Sequence, residues 1–563
     1  MVSRRQTPAS MKECLRGFGM PASSIVLRGL TVGMLLASPA FAQQHEHGPS
    51  TTEKLGAVSF STSCSPAAQP LFNRAVALLH SFEFARAIDG FNTTLKTDPS
   101  CAMAEWGIAL SRWSNPFSPG IRPAAPLQQG RDAIARARAI GAKTPREAGY
   151  LDAVEHLYAN VATVDQRTRL LAYRDGMAKV AAANPDDDEA VIFYALAIAA
   201  AALPTDKTYA EQLKAGAILE KIIARQPGHP GLSHYIIHSY DFPPLAERAL
   251  DAARRYAKIA PSAPHALHMP SHTFTRVGYW QESIDANLAS GAAAKRDGAT
   301  AEELHTMDYR IYAYLQTGQD AAAREILDGL PGVKARFDPE AIGSAAPGSA
   351  GVFALAAIPA RYALERGAWA EAAKLVPQPS RFLYPESLTY FAKALGATRS
   401  RDLTTARSAI DGLLTIHKGL TEQKEFYWAD QTDIQRRAAS AWLTLVEGRQ
   451  KEALADMRAA AALEDRTEKS AVTPGPLAPA RELVGEMLLE MNQPADALKA
   501  FEATLEKEPN RFRALFGAAR SASLAGDRQK AVAYYRSLLE VCARGDEPGR
   551  TELAEARREL MKR

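Results

Sequence analysis

The chain lacks three kinds of feature that would place it in a familiar functional class. No HExxH, CxxC, GxSxG or phosphate-binding P-loop pattern occurs in its 563 residues, so no motif indicates a reaction, and a non-enzymatic role is favoured over an enzymatic one. After residue 42 no apolar stretch reaches the roughly 20 residues needed to cross a membrane. Runs of β-branched residues are few, whereas Ala, Leu, Arg and Glu are abundant, which favours helix.

The first 42 residues have the layout of a secretory signal peptide. Basic residues from Arg4 to Arg28 precede or flank the apolar run 29–36, and Ala40-Phe41-Ala42 forms a small-x-small cleavage site. Because this apolar run is too short to span a bilayer, a retained membrane anchor is the less favoured alternative. We expect a bacterial protein whose mature chain is periplasmic or secreted.

Cleavage would remove the small excess of positive charge. The chain has 67 basic and 63 acidic residues, and loss of five basic residues and one acidic residue with the leader leaves 62 of each. A neutral mature chain gives no reason to expect nucleic acid as a partner. Its length of about 520 residues exceeds one compact core, so several domains or a solenoid are expected.

A 34-residue periodicity indicates stacked helical hairpins. Ala497 and Ala531 are separated by this period, as are Phe501 and Tyr535. The small residue lets two helices approach closely, and the aromatic ring fills the space between neighbouring hairpins. The pattern resembles the tetratricopeptide repeat, which implies an all-α, right-handed solenoid of helix–turn–helix units. Glycines at the turn position, each followed five residues later by a small residue, extend the pattern along the chain: Gly278, Gly318, Gly367 and Gly448.

The mature chain is also similar to a group of exported bacterial tetratricopeptide-repeat proteins. The resemblance implies the fold and the export of the chain, but it transfers no catalytic residue. A protein or peptide ligand is expected as partner because a superhelix of stacked hairpins exposes a concave binding surface. The segments that carry it are HYIIHSYDFP (234–243), APHALHMPSHTFTRVG (263–278), LHTMDYRIYAYLQTGQ (304–319) and TPGPLAPARELVGEMLLE (473–490).

Three irregular stretches, rich in Pro or Gly, interrupt the repeats. They lie at 115–126, 330–351 and 471–479. We place the main division of the solenoid at the second stretch, with one half on either side. The predicted organisation is a signal peptide at 1–42, a flexible lead-in at 43–63, an N-terminal solenoid at 64–330, a connection at 331–351 and a C-terminal solenoid at 352–563.

The mature chain keeps three cysteines, two of which are expected to pair. Cys64 lies just before the first predicted helix and Cys101 just after the first hairpin, so both should lie at the same end of the stack. An oxidising compartment would then allow a disulfide, whereas two buried free thiols are the alternative. Cys542 is expected in the core of the last helix.

Histidines recur in the 34-residue register. His234 and His268 are 34 residues apart, and so are His238 and His272. A residue type that recurs at the repeat period occupies the same place on successive hairpins and forms a row in space. The residues of each hairpin are also spaced i, i+4, which lets one helix offer two imidazoles to one ion. We therefore predict that these four histidines form a metal site, with a divalent transition metal as candidate cofactor.

Further polar residues share this helical face. His265, His305, Asp241 and Asp308 fall at repeat positions expected to line the concave groove, where either aspartate would complete a metal shell or orient a ring nitrogen. A structural hydrogen-bond network and unrelated surface histidines stay open as interpretations. The favoured function is an exported scaffold that binds a protein segment or small ligand in its groove. The alternative is a metalloprotein or metal-dependent enzyme that uses the His/Asp cluster.

The expected mature N-terminus is a second, weaker indication of metal binding. Cleavage after Ala42 would start the chain with Gln43-Gln44-His45. A free amine two residues before a histidine binds Cu(II) in a square-planar nitrogen set. A disordered polar leader is the favoured alternative.

Overall fold

The structure is a computed structural model that describes residues 53–118, 122–341, 343 and 345–562. Within these ranges the regular structure is helical and includes no β-strand, which confirms the all-α class. No helix of the described residues is long and apolar enough to cross a membrane. The predicted signal peptide, its cleavage site and His45 lie outside the described residues.

Successive helices pack as antiparallel hairpins, which confirms the predicted helical stack. The helices up to the last predicted histidine position are α1 (Gln69–His80), α2 (Phe84–Thr97), α3 (Ala102–Trp113), α4 (Ala124–Ile140), α5 (Pro145–Glu155), α6 (Gln166–Ala183), α7 (Asp188–Ala201), α8 (Ala210–Ile223), α9 (Pro230–Ser239), a 3-10 turn (Ala246–Ala249), α10 (Leu250–Ile259), α11 (Pro264–His268), α12 (Pro270–Arg276), α13 (Trp280–Arg296) and α14 (Thr300–Gln316).

The remaining helices continue the stack towards the C-terminus. They are α15 (Asp320–Lys334), α16 (Gly348–Glu365), α17 (Trp369–Ala372), α18 (Leu383–Arg399), α19 (Leu403–Glu422), α20 (Phe426–Val446), α21 (Gln450–Asp465), α22 (Ala480–Glu490), α23 (Pro494–Lys507), α24 (Phe512–Leu524), α25 (Arg528–Val541) and α26 (Thr551–Met561).

The repeat residues have the roles that their periodicity predicts. Gly278 and Gly318 end their hairpin turns with φ of 71° and 68°, a left-handed conformation that favours glycine because it has no Cβ. The Phe501 ring packs where a Cβ on Gly485 or Gly517 would come within 2.8 or 2.4 Å of it. Small residues on two helices therefore make room for one aromatic ring between them.

The C-terminal hairpins pack back onto the middle of the chain. Trp280 Nε1 donates to the Asn510 carbonyl over 2.9 Å, and the Phe512 amide donates to Gln316 Oε1 over 2.9 Å. Residues from Glu53 onward form one compact unit. The division of the solenoid into halves at 331–351 stays a prediction.

The described residues include three cysteines, of which two form a disulfide and one is a buried free thiol. Cys64 and Cys101 are joined by a disulfide, with their Cα atoms 4.8 Å apart. Cys542 is a buried free cysteine, as expected, but it lies directly after α25 and not in the last helix, α26. Burial raises the pKa of its thiol to about 12.

Candidate functional site

Eight predicted site residues lie together in the interior. None of them is more than 9% exposed, so they do not line an open groove. The sequence predicts an open groove because nothing in it connects these hairpins to the distant segment 469–477. In the structure Lys469 and Thr473 of that segment contact this region. The helices carry the residues as follows: His234 and His238 on α9, His265 and His268 on α11, His272 on α12, and His305 and Asp308 on α14, with Asp241 just after α9.

The first histidine cluster consists of His234, His238 and His265. One candidate ligand nitrogen from each lies within 4.8 Å of the others. The Nε2 atom of every member is buried without a hydrogen-bond partner. His234 Nδ1 donates to the His80 carbonyl over 2.6 Å, and His265 Nδ1 lies 3.0 Å from Glu302 Oε1. A carbonyl or carboxylate that holds one ring nitrogen and leaves the other free is the usual surrounding of a metal-binding histidine.

The second histidine cluster consists of His268, His272 and His305, again with candidate ligand nitrogens within 4.8 Å of one another. The His268 and His272 Nε2 atoms lie 3.1 Å apart. Two nitrogens bound to one tetrahedral ion at about 2.0–2.1 Å are about 3.3 Å apart. The His305 Nδ1 atom is buried without a partner and completes the set.

The proton positions in the second cluster follow from its hydrogen bonds. Asn287 donates its amide to the Ser283 carbonyl, which leaves its Oδ1 to accept from His268 Nδ1 over 2.7 Å. The Asp241 carboxylate accepts from His272 Nδ1 over 2.9 Å. When the rings are neutral, both protons therefore lie on Nδ1, and two Nε2 lone pairs point at each other.

The structure groups the predicted metal ligands differently from the sequence prediction. The four histidines of the 34-residue register do not form one set: His234 and His238 combine with His265, whereas His268 and His272 combine with His305. The two clusters adjoin, since the His265 and His268 ring centroids are 5.7 Å apart. α11 ends at His268 and α12 begins at Pro270, which has no amide hydrogen, yet His268 and His272 stay on one side.

Asp241 orients a histidine in the structure. Its Oδ2 atom contacts His272 Nδ1, while Arg276 Nε donates to Oδ1 over 2.8 Å and Lys469 Nζ lies 3.1 Å from Oδ2. Burial would raise the pKa of this carboxyl, but the two cations reverse the effect and hold it well below its usual range. Asp241 therefore stays ionised and fixes the proton of His272.

Asp308 belongs to neither histidine cluster. Its Oδ1 atom accepts from Arg361 Nε over 2.7 Å, and the same guanidinium donates to Thr473 Oγ1 over 2.7 Å. Arg361 lies 53 residues after Asp308 and is fully buried. The ion pair ties α14 to the segment that covers the site, which is a structural role.

Burial lowers the pKa of every histidine in the two clusters, and neighbouring imidazoles lower most of these pKa values further. The pKa of His268 falls to about 3. The neutral imidazole is the form that binds a metal, so the site keeps its ligands ready at neutral pH. The remaining members with lowered pKa are His234, His238, His265, His272 and His305.

A third group, the carboxylate cluster, consists of His80, Glu189 and His229. His80 Nε2 and His229 Nε2 lie 2.9 and 3.0 Å from the two oxygens of Glu189. His80 Nδ1 lies 2.9 Å from Tyr235 Oη. Three of its four ring nitrogens and both Glu189 oxygens have partners within the protein, and His229 Nδ1 is the ring nitrogen of this cluster that is buried without one. This matching favours a structural network.

A larger cavity of about 460 Å³ lies on the other side of segment 469–477. Its aromatic wall includes Tyr384 and Trp428, whose rings stack with centroids 3.9 Å apart. Lys469 and Thr473 line it too, so one short segment separates the cavity from the histidines.

Several residues of this region had no signal in the sequence. Glu189, Asn287, Arg361 and Lys469 lie outside the histidine register, and no local pattern connects them to it. His80 stands alone on its helix in the sequence, which indicates a packing or surface residue, and in the structure it is buried in the carboxylate cluster.

Comparison with known proteins supports the repeat assignment. The tetratricopeptide-repeat family model matches residues 513–541. No curated protein matches the chain in sequence. A similar solved structure is the crystal structure of YrrB, a TPR protein with an unusual peptide-binding site, at 20% identity over 36% of this chain and 90% of that chain, with a TM-score of 0.19.

Two further solved structures cover more of the chain. A human IFIT1 dimer with m7Gppp-AAAA has 10% identity, covers 86% of this chain and 96% of that chain, and has a TM-score of 0.36. The APC/C hetero-tetramer Cut9–Hcn1 has 12% identity, covers 88% and 90%, and has a TM-score of 0.29. Similarity at this level carries no functional argument. The family match therefore shows a tetratricopeptide repeat at residues 513–541, and the rest of the described chain continues the same stack of helical hairpins.

Proposed function

We propose that the protein is an exported tetratricopeptide-repeat protein that binds transition metal at its buried histidines. The observation that carries this proposal is the 3.1 Å approach of the His268 and His272 Nε2 atoms, whose protons are both held on Nδ1. Facing lone pairs repel each other unless a cation lies between them or a donor reaches one of them. The Tyr309 hydroxyl lies 3.3 Å from His272 Nε2, but it donates to the Thr473 carbonyl over 3.3 Å. A shared proton would also suffice, but burial lowers the pKa of both rings and disfavours it.

The donor set narrows the choice of ion. Six imidazoles without a thiolate suit Zn(II), Cu(II) or Ni(II), and carboxylate-preferring Mg(II) or Ca(II) would find no oxygen ligand in either cluster. Asp241 and Glu302 instead accept from ring Nδ1 atoms, as carboxylates around a metal-binding histidine do.

Metal content of the purified mature protein tests the proposal. After chelator treatment and dialysis against Zn(II), the wild type should retain zinc in elemental analysis. The double variant His238→Ala/His272→Ala should lose most of it, because one ligand is removed from each cluster. His417→Ala, on α19 and outside the clusters, is the matched control and should retain zinc. A wild type that retains no Zn(II), Cu(II) or Ni(II), or a double variant that binds as the wild type does, contradicts the proposal.

Export belongs to the same proposal and rests on the residues before position 43. N-terminal sequencing of protein collected from the periplasm or medium should begin at Gln43. Material that starts at Met1, Met11 or Met20 would contradict cleavage.

The large cavity favours a second candidate function, the binding of a protein segment. Tetratricopeptide repeats commonly present surfaces to protein partners, and a cavity of about 460 Å³ with a stacked Tyr384–Trp428 wall offers room for apolar side chains. Titration with a panel of aromatic-containing peptides should change the tryptophan fluorescence of the wild type. The change should disappear in Trp428→Phe; a change that persists there would place the peptide elsewhere.

A further inference from the structure

Both histidine clusters border one small cavity. It has a volume of about 20 Å³, which is roughly the space that one water molecule requires. His238 and His265 line it from the first cluster, and His272 and His305 line it from the second. Each cluster thus presents two of its three imidazoles to the same space.

Three imidazoles leave one coordination position of a tetrahedral ion open. The two clusters are close enough for these positions to meet, since the His238 and His272 ring centroids are 6.0 Å apart and those of His265 and His268 are 5.7 Å apart. For comparison, two ring centroids within one cluster, those of His234 and His238, are 4.9 Å apart.

The rest of the cavity wall consists of small, mostly apolar residues from the three irregular stretches that interrupt the repeats. Among the described residues that line it there is no carboxylate. The nearby carboxylate of Asp241 is already paired with Arg276 and Lys469. The lining residues other than histidine are Asn115, Ser118, Ala345, Ala346, Pro347, Ala350, Ala471 and Val472.

These observations fix what the cavity can hold. Two divalent ions with six neutral imidazoles would bring four positive charges into the interior, so an anion beside them is strongly favoured. The described residues that line the cavity supply no anion, and the Asp241 and Glu302 carboxylates contact ring Nδ1 atoms outside it. The volume admits only one or two heavy atoms.

We propose that the two clusters form a dinuclear metal centre whose ions share one solvent-derived anion, hydroxide, in this cavity. The inference rests on the proposed metal binding. A water molecule enters, one O–H bond breaks, the proton leaves to solvent, and the remaining hydroxide bridges the ions. No oxidant or reductant is needed, and metal-bound water ionises readily near neutral pH.

Electron paramagnetic resonance of the copper-loaded protein tests this inference. The mature chain should carry His45→Ala and His47→Ala, so that the N-terminus does not bind Cu(II). We expect two copper ions per chain and a spin count far below two, because a hydroxide bridge couples the two unpaired electrons. One copper per chain, or two with the full spin count, would overturn the dinuclear centre while leaving metal binding intact. No bound copper, zinc or nickel would instead overturn the proposed function.

Two variants sharpen the result. His234→Ala should lower the copper content from two to one and give the full signal of one isolated ion, whereas His417→Ala should behave as the parent does.

Ala471→Leu should fill the cavity without removing a ligand, so copper content should stay at two while the spin count rises towards two. Ala335→Leu, an exposed position after α15, is its size-matched control. Coupling that survives in Ala471→Leu would show that the cavity does not hold the bridge.

Discussion

The carboxylate cluster of His80, Glu189 and His229 and the two histidine clusters differ in how their polar atoms are matched. In the carboxylate cluster both histidine Nε2 atoms meet oxygens of Glu189. In the histidine clusters several Nδ1 atoms also meet oxygens, but the Nε2 atoms of His268 and His272 face each other, and those of His234, His238 and His265 have no hydrogen-bond partner. All three groups are buried, and in each of them one candidate ligand atom per residue lies within 4.8 Å of the others.

The matching of hydrogen-bond donors with acceptors separates a structural network from a ligand site. A donor facing an acceptor stabilises the fold, whereas two acceptors facing each other cost stability unless a cation is bound. Removing a residue should therefore weaken the fold at the carboxylate cluster and weaken metal binding at the histidine clusters.

The largest effect is expected for Glu189→Ala. It leaves the buried Nε2 donors of His80 and His229 without their common carboxylate, and each unsatisfied donor typically costs about 1–3 kcal/mol of unfolding free energy. Urea denaturation of the metal-free protein measures the loss. Zinc content of the folded variant should match that of the wild type, and a drop in zinc would mean that Glu189 supports the metal site.

Metal should stabilise the wild type by a similar amount. Free Zn(II) at about 1,000 times its dissociation constant should add about 4 kcal/mol, because metal binds the folded state. Thermal denaturation with increasing zinc measures this rise. The rise should vanish in His238→Ala/His272→Ala and persist in Glu189→Ala. A rise that persists in the double variant and vanishes in Glu189→Ala would mean that zinc binds at the carboxylate cluster instead.

The disulfide should matter for the fold and not for the metal. Cys64→Ser/Cys101→Ser opens a crosslink between residues 37 apart, which typically costs about 2–4 kcal/mol. Denaturation in urea measures this cost, and elemental analysis should show unchanged zinc. An unchanged denaturation midpoint would contradict the prediction.

Acid should weaken the carboxylate cluster gradually. Burial lowers the pKa of His80 below 6.5, and His80 and His229 hold the pKa of Glu189 below 4.5 although burial opposes this. Both groups bind fewer protons folded than unfolded, so stability is present above these values and is lost as pH falls. Denaturation of metal-free protein between pH 8 and 4 should show a decline that starts near pH 6.5. His80→Gln should decline less steeply, and an equal slope would contradict the assignment.

Local sequence patterns predicted most of the fold. The 34-residue spacing of Ala497 with Ala531 and Phe501 with Tyr535 follows from packing between adjacent hairpins, which involves only neighbours in sequence. The turns at Gly278 and Gly318 follow from a backbone conformation that glycine adopts most easily. The candidate site was predicted only as a set of residues, because its contacts join hairpins that no repeat register connects.

By itself the sequence determined that this protein is a helical repeat with histidines in register on successive hairpins. Only the tertiary structure decided that His265 joins His234 and His238, that His305 joins His268 and His272, and that Asp308 pairs with Arg361. It also placed Lys469 beside Asp241, 228 residues away, and lined the cavity with residues from the three irregular stretches. The physical reason is range: periodicity records contacts between neighbouring units, whereas burial, charge pairing and ligand geometry depend on segments that meet only when the chain folds back on itself.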